Sequence, residues 1–351
     1  MAGGIGSRFW PMSTTDHPKQ FLDILGTGKT LIQQTYNRFT GICPKENIFI
    51  ITNERYKDLV VEQLKIDESR VISEPARKNT APCIAYASYK IQDINPDANI
   101  VVAPSDHLIL KEDAFAEIIH IALNKTKHDD CLVTLGIKPS RPDTGYGYIQ
   151  FNNTAPTSGD IRIRKVKTFT EKPSLQTAME FLESGDFCWN SGIFVWRISS
   201  IITALDKHLS GVSTLFKEGT GKYNTPKEAK FIQKIYQLCK NISIDYAVME
   251  KADNVYVVLS DFGWSDLGTW RSLYENAGNI QAGEANAVTG KNVFMYDSKN
   301  CIVNMPDDKL AVLQGLDDYI VVDANNILLV CKKQDEQKIK QIVNDINTKK
   351  R

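Results

Sequence analysis

Between residues 47 and 136 the chain alternates short apolar runs with amphipathic stretches, and this alternation narrows the fold more than anything else in it. Runs at 47–52, 70–73, 100–103 and 131–136 are rich in Ile, Val and Leu, whereas 56–64, 81–91 and 114–124 carry apolar residues at helical spacing. Strands alternating with helices predict an α/β fold with a mostly parallel sheet. Ligands in such sheets sit at the carboxyl ends of strands, so the residues directly after Ala103 are candidates for chemistry. Strands at 146–151, 161–170 and 192–197 and helices at 174–184 and 227–238 continue without a linker, which assigns residues 1–281 to one domain. From 282 onward, β-like runs at 292–296, 301–305, 310–314, 319–323 and 327–331 are separated by turns rich in Asp, Asn and Gly. A charged helix at 334–346 follows. Residues 282–351 therefore read as a small C-terminal β domain, β-solenoid-like or a β-roll, ending in a helix.

A length of 351 residues suits two such domains. The 42 basic residues are balanced by 42 acidic ones, without the cationic excess that nucleic-acid binding requires. The seven cysteines are widely spaced and form no C-x-x-C, as expected for reduced thiols. No signal peptide precedes the first motif and no apolar run approaches a membrane span, so a cytoplasmic protein with no membrane partner is expected.

The chain opens MAGGIGSRFWPMSTTDHPKQF. Gly3, Gly4 and Gly6 allow backbone N–H groups to close on an anion, and Arg8 and Lys19 flank them with fixed positive charge. A second glycine-rich stretch, Gly26-Thr27-Gly28-Lys29-Thr30, looks like the end of a P-loop. Walker A needs a glycine five positions before Gly28, where this chain has Asp23, so a turn leading into a helix is expected instead.

The opening loop resembles the signature of the sugar-nucleotide pyrophosphorylases, G-G-x-G-x-R followed by W-P and P-K-Q. Six further segments resemble one branch, the mannose-1-phosphate guanylyltransferases. They are Glu74-Pro75 with Lys78-Asn79-Thr80-Ala81-Pro82; Pro104-Ser105-Asp106-His107; Thr144-Gly145-Tyr146-Gly147-Tyr148-Ile149; Phe169 with Glu171-Lys172-Pro173; Trp189-Asn190-Ser191-Gly192; and Gly263-Trp264-Ser265-Asp266-Leu267-Gly268. The resemblance runs in order over nearly the whole chain. It implies a Rossmann-like nucleotidyltransferase domain that joins GTP to mannose 1-phosphate, giving GDP-mannose and pyrophosphate. The sugar phosphate is already ionised at neutral pH, so such a reaction needs positioning and charge neutralisation more than a general base.

The resemblance also implies roles. Asp106 and Asp266 would hold Mg²⁺, a cation that takes one or two carboxylates besides phosphate oxygens and water. Arg8 and Lys19 would contact the triphosphate, and Lys172 the sugar phosphate. Glu171 would accept from sugar hydroxyls, with Gly145 and Asn190 lining the sugar pocket. Gly3, Gly4 and Gly6 would approach the nucleotide by backbone, while Asn79, Thr80 and Pro82 border base or ribose. Trp189 and Trp196 are expected in the core, and His107 as a packed or hydrogen-bonding residue.

Two other readings stay open: a uridylyl- or thymidylyltransferase of the same class, and a non-catalytic GDP-mannose-binding regulatory subunit. The latter would tend to lose charged site residues, and Arg8, Lys19, Asp106, Lys172 and Asp266 are all present. Too few residues follow the transferase part for the isomerase domain fused to longer relatives, so a single activity is expected. The resemblance to the short forms implies a homodimer through the C-terminal β domain. It also implies a hydrophobic strand ahead of M-A-G-G at the sheet centre. Starting at the loop leaves that strand's neighbours unpaired, so a poorly stable or weakly active chain is expected, one that an upstream apolar strand would rescue.

Overall fold

The computed structural model describes residues 1–4, 6, 9–154, 159–270, 272–273 and 286–349. Helix α1 (Leu31–Thr40) leads to β1 (Ile50–Asn53), and α2 (Lys57–Leu64) connects it to β2 (Val71–Glu74). Then come α3 (Thr80–Ile94), β3 (Asn99–Val102), the two-residue β4 (Leu108–Ile109), α4 (Glu112–His128) and β5 (Leu132–Ile137). The hairpin β6 (Gly147–Phe151) and β7 (Ile163–Glu171) precedes α5 (Leu175–Ser184) and the long β8 (Phe187–Arg197). Helices α6 (Ile198–His208), α7 (Ser210–Lys217) and α8 (Glu228–Leu238) follow, then β9 (Val255–Ser260) and β10 (Trp264–Ser265).

By contacts the chain forms two compact units that no single cut in sequence separates. One comprises residues 1–3, 38–104 and 109–264; the other comprises 4–37, 105–108 and 265–351.

The first unit holds a six-stranded sheet of order β3-β8-β5-β9-β7-β6 and a separate parallel pair, β1 and β2. Parallel pairing was expected to dominate, but within the six strands only β5 and β9 are parallel neighbours. The reason is β8, which enters antiparallel between β3 and β5, while β7 pairs antiparallel with β6 and β9. The sheet is mixed. Successive residues of its strands serve two cores, as the period of two requires. Leu132, Phe194, Trp196 and Val255 pack with α3, α6 and α8, whereas Val133, Leu135, Val195 and Val258 pack with α4. Both faces are covered, so these strands read as continuous apolar runs. The Met1 amino group donates to the Ala103 carbonyl at 2.7 Å and the Ala2 amide to that of Ile51 at 2.7 Å. Beyond these bonds, β1 pairs only with β2 and β3 only with β8 among the described residues.

In the second unit β11 (Ala287–Thr289), β13 (Ile302–Asn304) and β15 (Tyr319–Ala324) stack in parallel, as do β12 (Val293–Tyr296) and β14 (Ala311–Gln314). This is solenoid geometry. It ends where β16 (Ile327–Lys332) pairs antiparallel with β15 and α9 (Ile339–Lys349) follows. Asp297, Asn300, Asp318, Asn325 and Asn326 take positive φ at the corners, a conformation that Asn and Asp tolerate better than other residues with a side chain. Ile302, Ile320, Val322, Leu329 and Ile339 share one core with Phe9, Leu31, Leu267 and Trp270.

One buried acid in the first unit couples stability to pH. Glu74, at the carboxyl end of β2, is 7% exposed and accepts from the Tyr236 hydroxyl at 3.0 Å. Burial pushes its carboxyl up to about 7, against the opposing hydrogen bonds from Tyr236 and Cys83. The folded state therefore holds a proton that the unfolded chain releases near 4.5, and stability is lost as pH rises from there through about 7. The full loss is about 3 kcal/mol. Glu74→Gln keeps an acceptor for Tyr236 without the charge, so its melting temperature should gain on the parent's between pH 5 and pH 8. A difference that stays constant with pH would show that Glu74 titrates normally.

Candidate active site

The groups that suit a polyphosphate lie in the second unit. Lys19 follows the loop on a single 3₁₀ turn and is only 4% exposed. An ammonium has three N–H donors, and here each has an acceptor: Asp106 Oδ2 at 3.1 Å, the Asp266 carbonyl at 2.7 Å and the Leu267 carbonyl at 3.1 Å. The Asp106 carboxyl is pulled two ways. Burial pushes it up, but the Lys19 charge and hydrogen bond, helped by His107, hold it below the usual carboxylate range. Asp106 is thus ionised at neutral pH.

Asp266 Oδ1 accepts from the Gly268 amide at 2.8 Å, and a Cβ on Gly268 would collide with the Asp266 carboxylate. Leu267 between them sits at φ +43°, an uncommon conformation for a residue with a side chain. Gly6 has φ +55°, and a Cβ there would lie 2.6 Å from the Lys19 Cβ. Only glycine lets the loop close on Lys19. Gly4 is open: a Cβ there would stand 4.0 Å from Asp106 Oδ2, and its carbonyl accepts from the Gln20 side-chain amide at 3.0 Å. Arg8 lies outside the described residues.

The groups that suit a sugar lie in the first unit. β5 and β8 lose register between Thr134 and Gly136, so a bulge in β8 re-aims Asn190. The Asn190 carbonyl oxygen accepts from the Thr134 hydroxyl at 3.2 Å and the Gly192 amide at 3.1 Å, and its amide nitrogen donates to Asp245 Oδ1 at 2.8 Å. Glu171 ends β7, with Lys172 Nζ 2.8 Å from its Oε1. Gly145 closes a turn, its amide donating to Asp143 Oδ1 at 2.8 Å. It is Gly147 that lies against the acid: a Cβ there would stand 2.6 Å from Glu171 Oε2 and 3.6 Å from the Asn190 Cβ. Trp189 and Trp196 are buried, as expected.

Asn79, Thr80, Pro82 and Gly3, which the resemblance expects to border the nucleotide, are anchored in this unit as well. Asn79 caps α3 at φ +69°, its side chain accepting from the Thr80 amide. The Thr80 hydroxyl accepts from the Ile244 amide at 2.8 Å, and Pro82 is buried in the first turn of α3. Gly3 lies against Glu74, where a Cβ would stand 3.8 Å from Oε2. Sequence reasoning missed two residues here, Gly147 and Asp245. The first was visible as the second glycine of Thr144–Tyr148. The second had no motif to mark it.

Among the described residues no three His, Cys, Asp or Glu side chains converge as a metal cluster. Two carboxylate-bearing residues on one lysine, all hard oxygen donors, do fit a cation that draws its other ligands from phosphate and water.

Comparison with known proteins bears on the family of the chain. Residues 1–283 match the nucleotidyl transferase family, and residues 291–346 the MannoseP isomerase/GMP-like beta-helix domain. The alginate biosynthesis protein AlgA of Pseudomonas aeruginosa is 34% identical over 358 residues, covering 100% of this chain and 72% of that protein. A mannose-1-phosphate guanylyltransferase of Escherichia coli is 33% identical over 356 residues, 99% of this chain and 75% of that protein. The crystal structure of a protein titled mannose-1-phosphate geranyltransferase, from Thermus thermophilus, superposes with a TM-score of 0.86 at 29% identity. It covers 99% of this chain and 98% of that one. On these grounds the chain belongs to the nucleotidyl transferase family, in its mannose-1-phosphate guanylyltransferase branch.

Proposed function

We propose that this chain transfers GMP from GTP to mannose 1-phosphate, giving GDP-mannose and pyrophosphate. The observation that carries the reading is the Lys19 junction, a buried ammonium bonded to Asp106 and to the main chain at Asp266 and Leu267, beside a glycine loop. Relatives matched over nearly the full chain are named for this activity. In the reaction a sugar-phosphate oxygen forms a bond to the α-phosphorus as the α–β bridging bond breaks. The bonding pair leaves on pyrophosphate, and no proton need be moved. The protein's task is to align two anions and offset their charge.

Lys19 keeps Asp106 ionised and in place, Gly6 lets the loop close on Lys19, and the backbone at Gly4 leaves room beside Asp106 for phosphate oxygens. Asp106 and Asp266 are the residues that would hold Mg²⁺, which when bound would neutralise phosphate charge. In the first unit Lys172 meets the sugar phosphate, Glu171 takes the hydroxyls with Asn190 and Gly145 lining the pocket beside it, and Gly3, Asn79, Thr80 and Pro82 border the nucleotide. We place the enzyme in the cytoplasm, in keeping with seven free cysteines. We assign it a homodimer through the β domain, supported by Phe294, Tyr296 and Val312 exposed on paired strands β12 and β14.

Pyrophosphate release across a grid of nucleoside triphosphates and sugar 1-phosphates tests the reading: GTP with mannose 1-phosphate should be the preferred pair, and a preference for UTP or dTTP would replace it. Asp106→Asn should lower Mg²⁺-dependent kcat about a hundred-fold or more; an unchanged kcat removes Asp106 from the metal site. Lys19→Met leaves the buried carbonyls it serves unsatisfied, so it should cost about 3 kcal/mol in denaturant unfolding as well as activity. Loss of activity at full stability would instead make Lys19 a substrate contact alone.

A further inference from the structure

Asp245 stands on a π-helical turn, Asp245–Met249, a geometry that is frequent at functional sites. The turn is pinned on one side to the residues bordering the nucleotide: Ala81 N–H donates to the Ile242 carbonyl at 3.1 Å, Ile242 N–H to that of Lys78 at 3.2 Å, and Ile244 N–H to the Thr80 hydroxyl at 2.8 Å. On the other side the Asp245 carboxylate takes the Asn190 amide at 2.8 Å. A carboxylate can accept about four hydrogen bonds. Among the described residues this half-buried one receives Asn190 and its own backbone amide. Glu171 is close enough for its charge to bear on Asp245, and among the described residues it accepts only from Lys172, at Oε1. Two acids with unused accepting capacity thus flank Asn190, whose own carbonyl oxygen is taken by Thr134 and Gly192. Asn190 is a better holder of Asp245 than an acceptor for a ligand.

We infer that Asp245 reads the sugar, accepting from a ring hydroxyl alongside Glu171, with Asn190 fixing its orientation. Vicinal hydroxyls are donors, and a carboxylate with an unused oxygen is the strongest neutral-pH acceptor that side chains offer for them. The inference rests on the sugar-phosphate reading proposed above and adds to it a residue that sets which sugar is accepted.

Steady-state kinetics with both substrates varied, on the full chain, test it. Asp245→Asn should raise the KM for mannose 1-phosphate about ten-fold or more while the KM for GTP stays within about two-fold. A panel of mono-deoxy mannose 1-phosphates supplies the readout that a structural role would not move. The variant should lose against every analogue except the one missing the hydroxyl that Asp245 reads, for which the two enzymes should be alike. Asp245→Ser, small and polar, gives the same comparison should the amide variant not fold. An unchanged KM for the sugar phosphate, a parallel rise in both KM values, or an equal penalty against every analogue overturns the inference. Failure of the underlying reading looks different: the parent itself would then prefer another nucleotide or another sugar phosphate.

Discussion

A lysine ammonium with almost no exposure costs several kcal/mol to bury unless every donor is matched. In this protein the match at Lys19 consists of one carboxylate and two carbonyls from parts of the chain nearly 250 residues apart. Several local features follow from that requirement. The loop before Lys19 must approach without a Cβ at Gly6, and Leu267 must adopt a left-handed backbone so that its carbonyl and that of Asp266 face the same nitrogen. Gly268 must be bare so that the Asp266 side chain can fold back onto its amide. Phe9, whose ring lies 5.7 Å from the ammonium, packs at a tilt against Trp270, and both join the core of the β domain. This explains why the loop from Gly4 onward and the Asp266 turn belong by contacts with the C-terminal strands and not with the large sheet.

Much of this was legible beforehand, and the exceptions have physical reasons. The strands and helices of 47–136 are legible from pattern: Leu132–Ile137 is buried along its whole length, Asn99–Val102 packs partly against both cores, and the helices at 80–94 and 112–128 each pack into one core. The β8 strand was read as 192–197 but starts at Phe187, since its bulge and Gly192 at φ +69° break the period that would have revealed it. The helices α6 and α7 and strand β9 were not read at all. At Gly26–Thr30 the exclusion of a P-loop has a structural counterpart: the amides of Thr27 and Gly28 donate to the Asp23 carboxylate at 3.0 and 2.7 Å. The side chain that breaks the motif occupies the place of the anion. Asp245 was invisible for a different reason. A π turn has no periodic signature, and what marks the residue is its partner Asn190, 55 positions away.

Asp106 in the second unit and Asp245 in the first are tuned in opposite directions, and this bears on what each can bind. Asp106 is held low because a buried lysine outweighs the cost of its own burial. A carboxylate meant for a divalent cation has to be ionised, and one pre-paired with an ammonium stays so even in low dielectric. Asp245 is pushed the other way, first by burial and then by Glu171, with Asn190 and Lys172 only partly compensating; Glu250 nearby is raised as well. The acids Glu171, Asp245 and Glu250 bear on one another more than Lys172 and Lys251 offset, a poor setting for a metal-free polyphosphate. It suits neutral donors that share the charge by hydrogen bonding, and a ring of hydroxyls is such a donor set, with Lys172 the nearby cation for a single phosphate. On the proposed reading, the Lys19 side suits phosphate chemistry and the acids at Glu171 and Asp245 suit hydroxyl recognition.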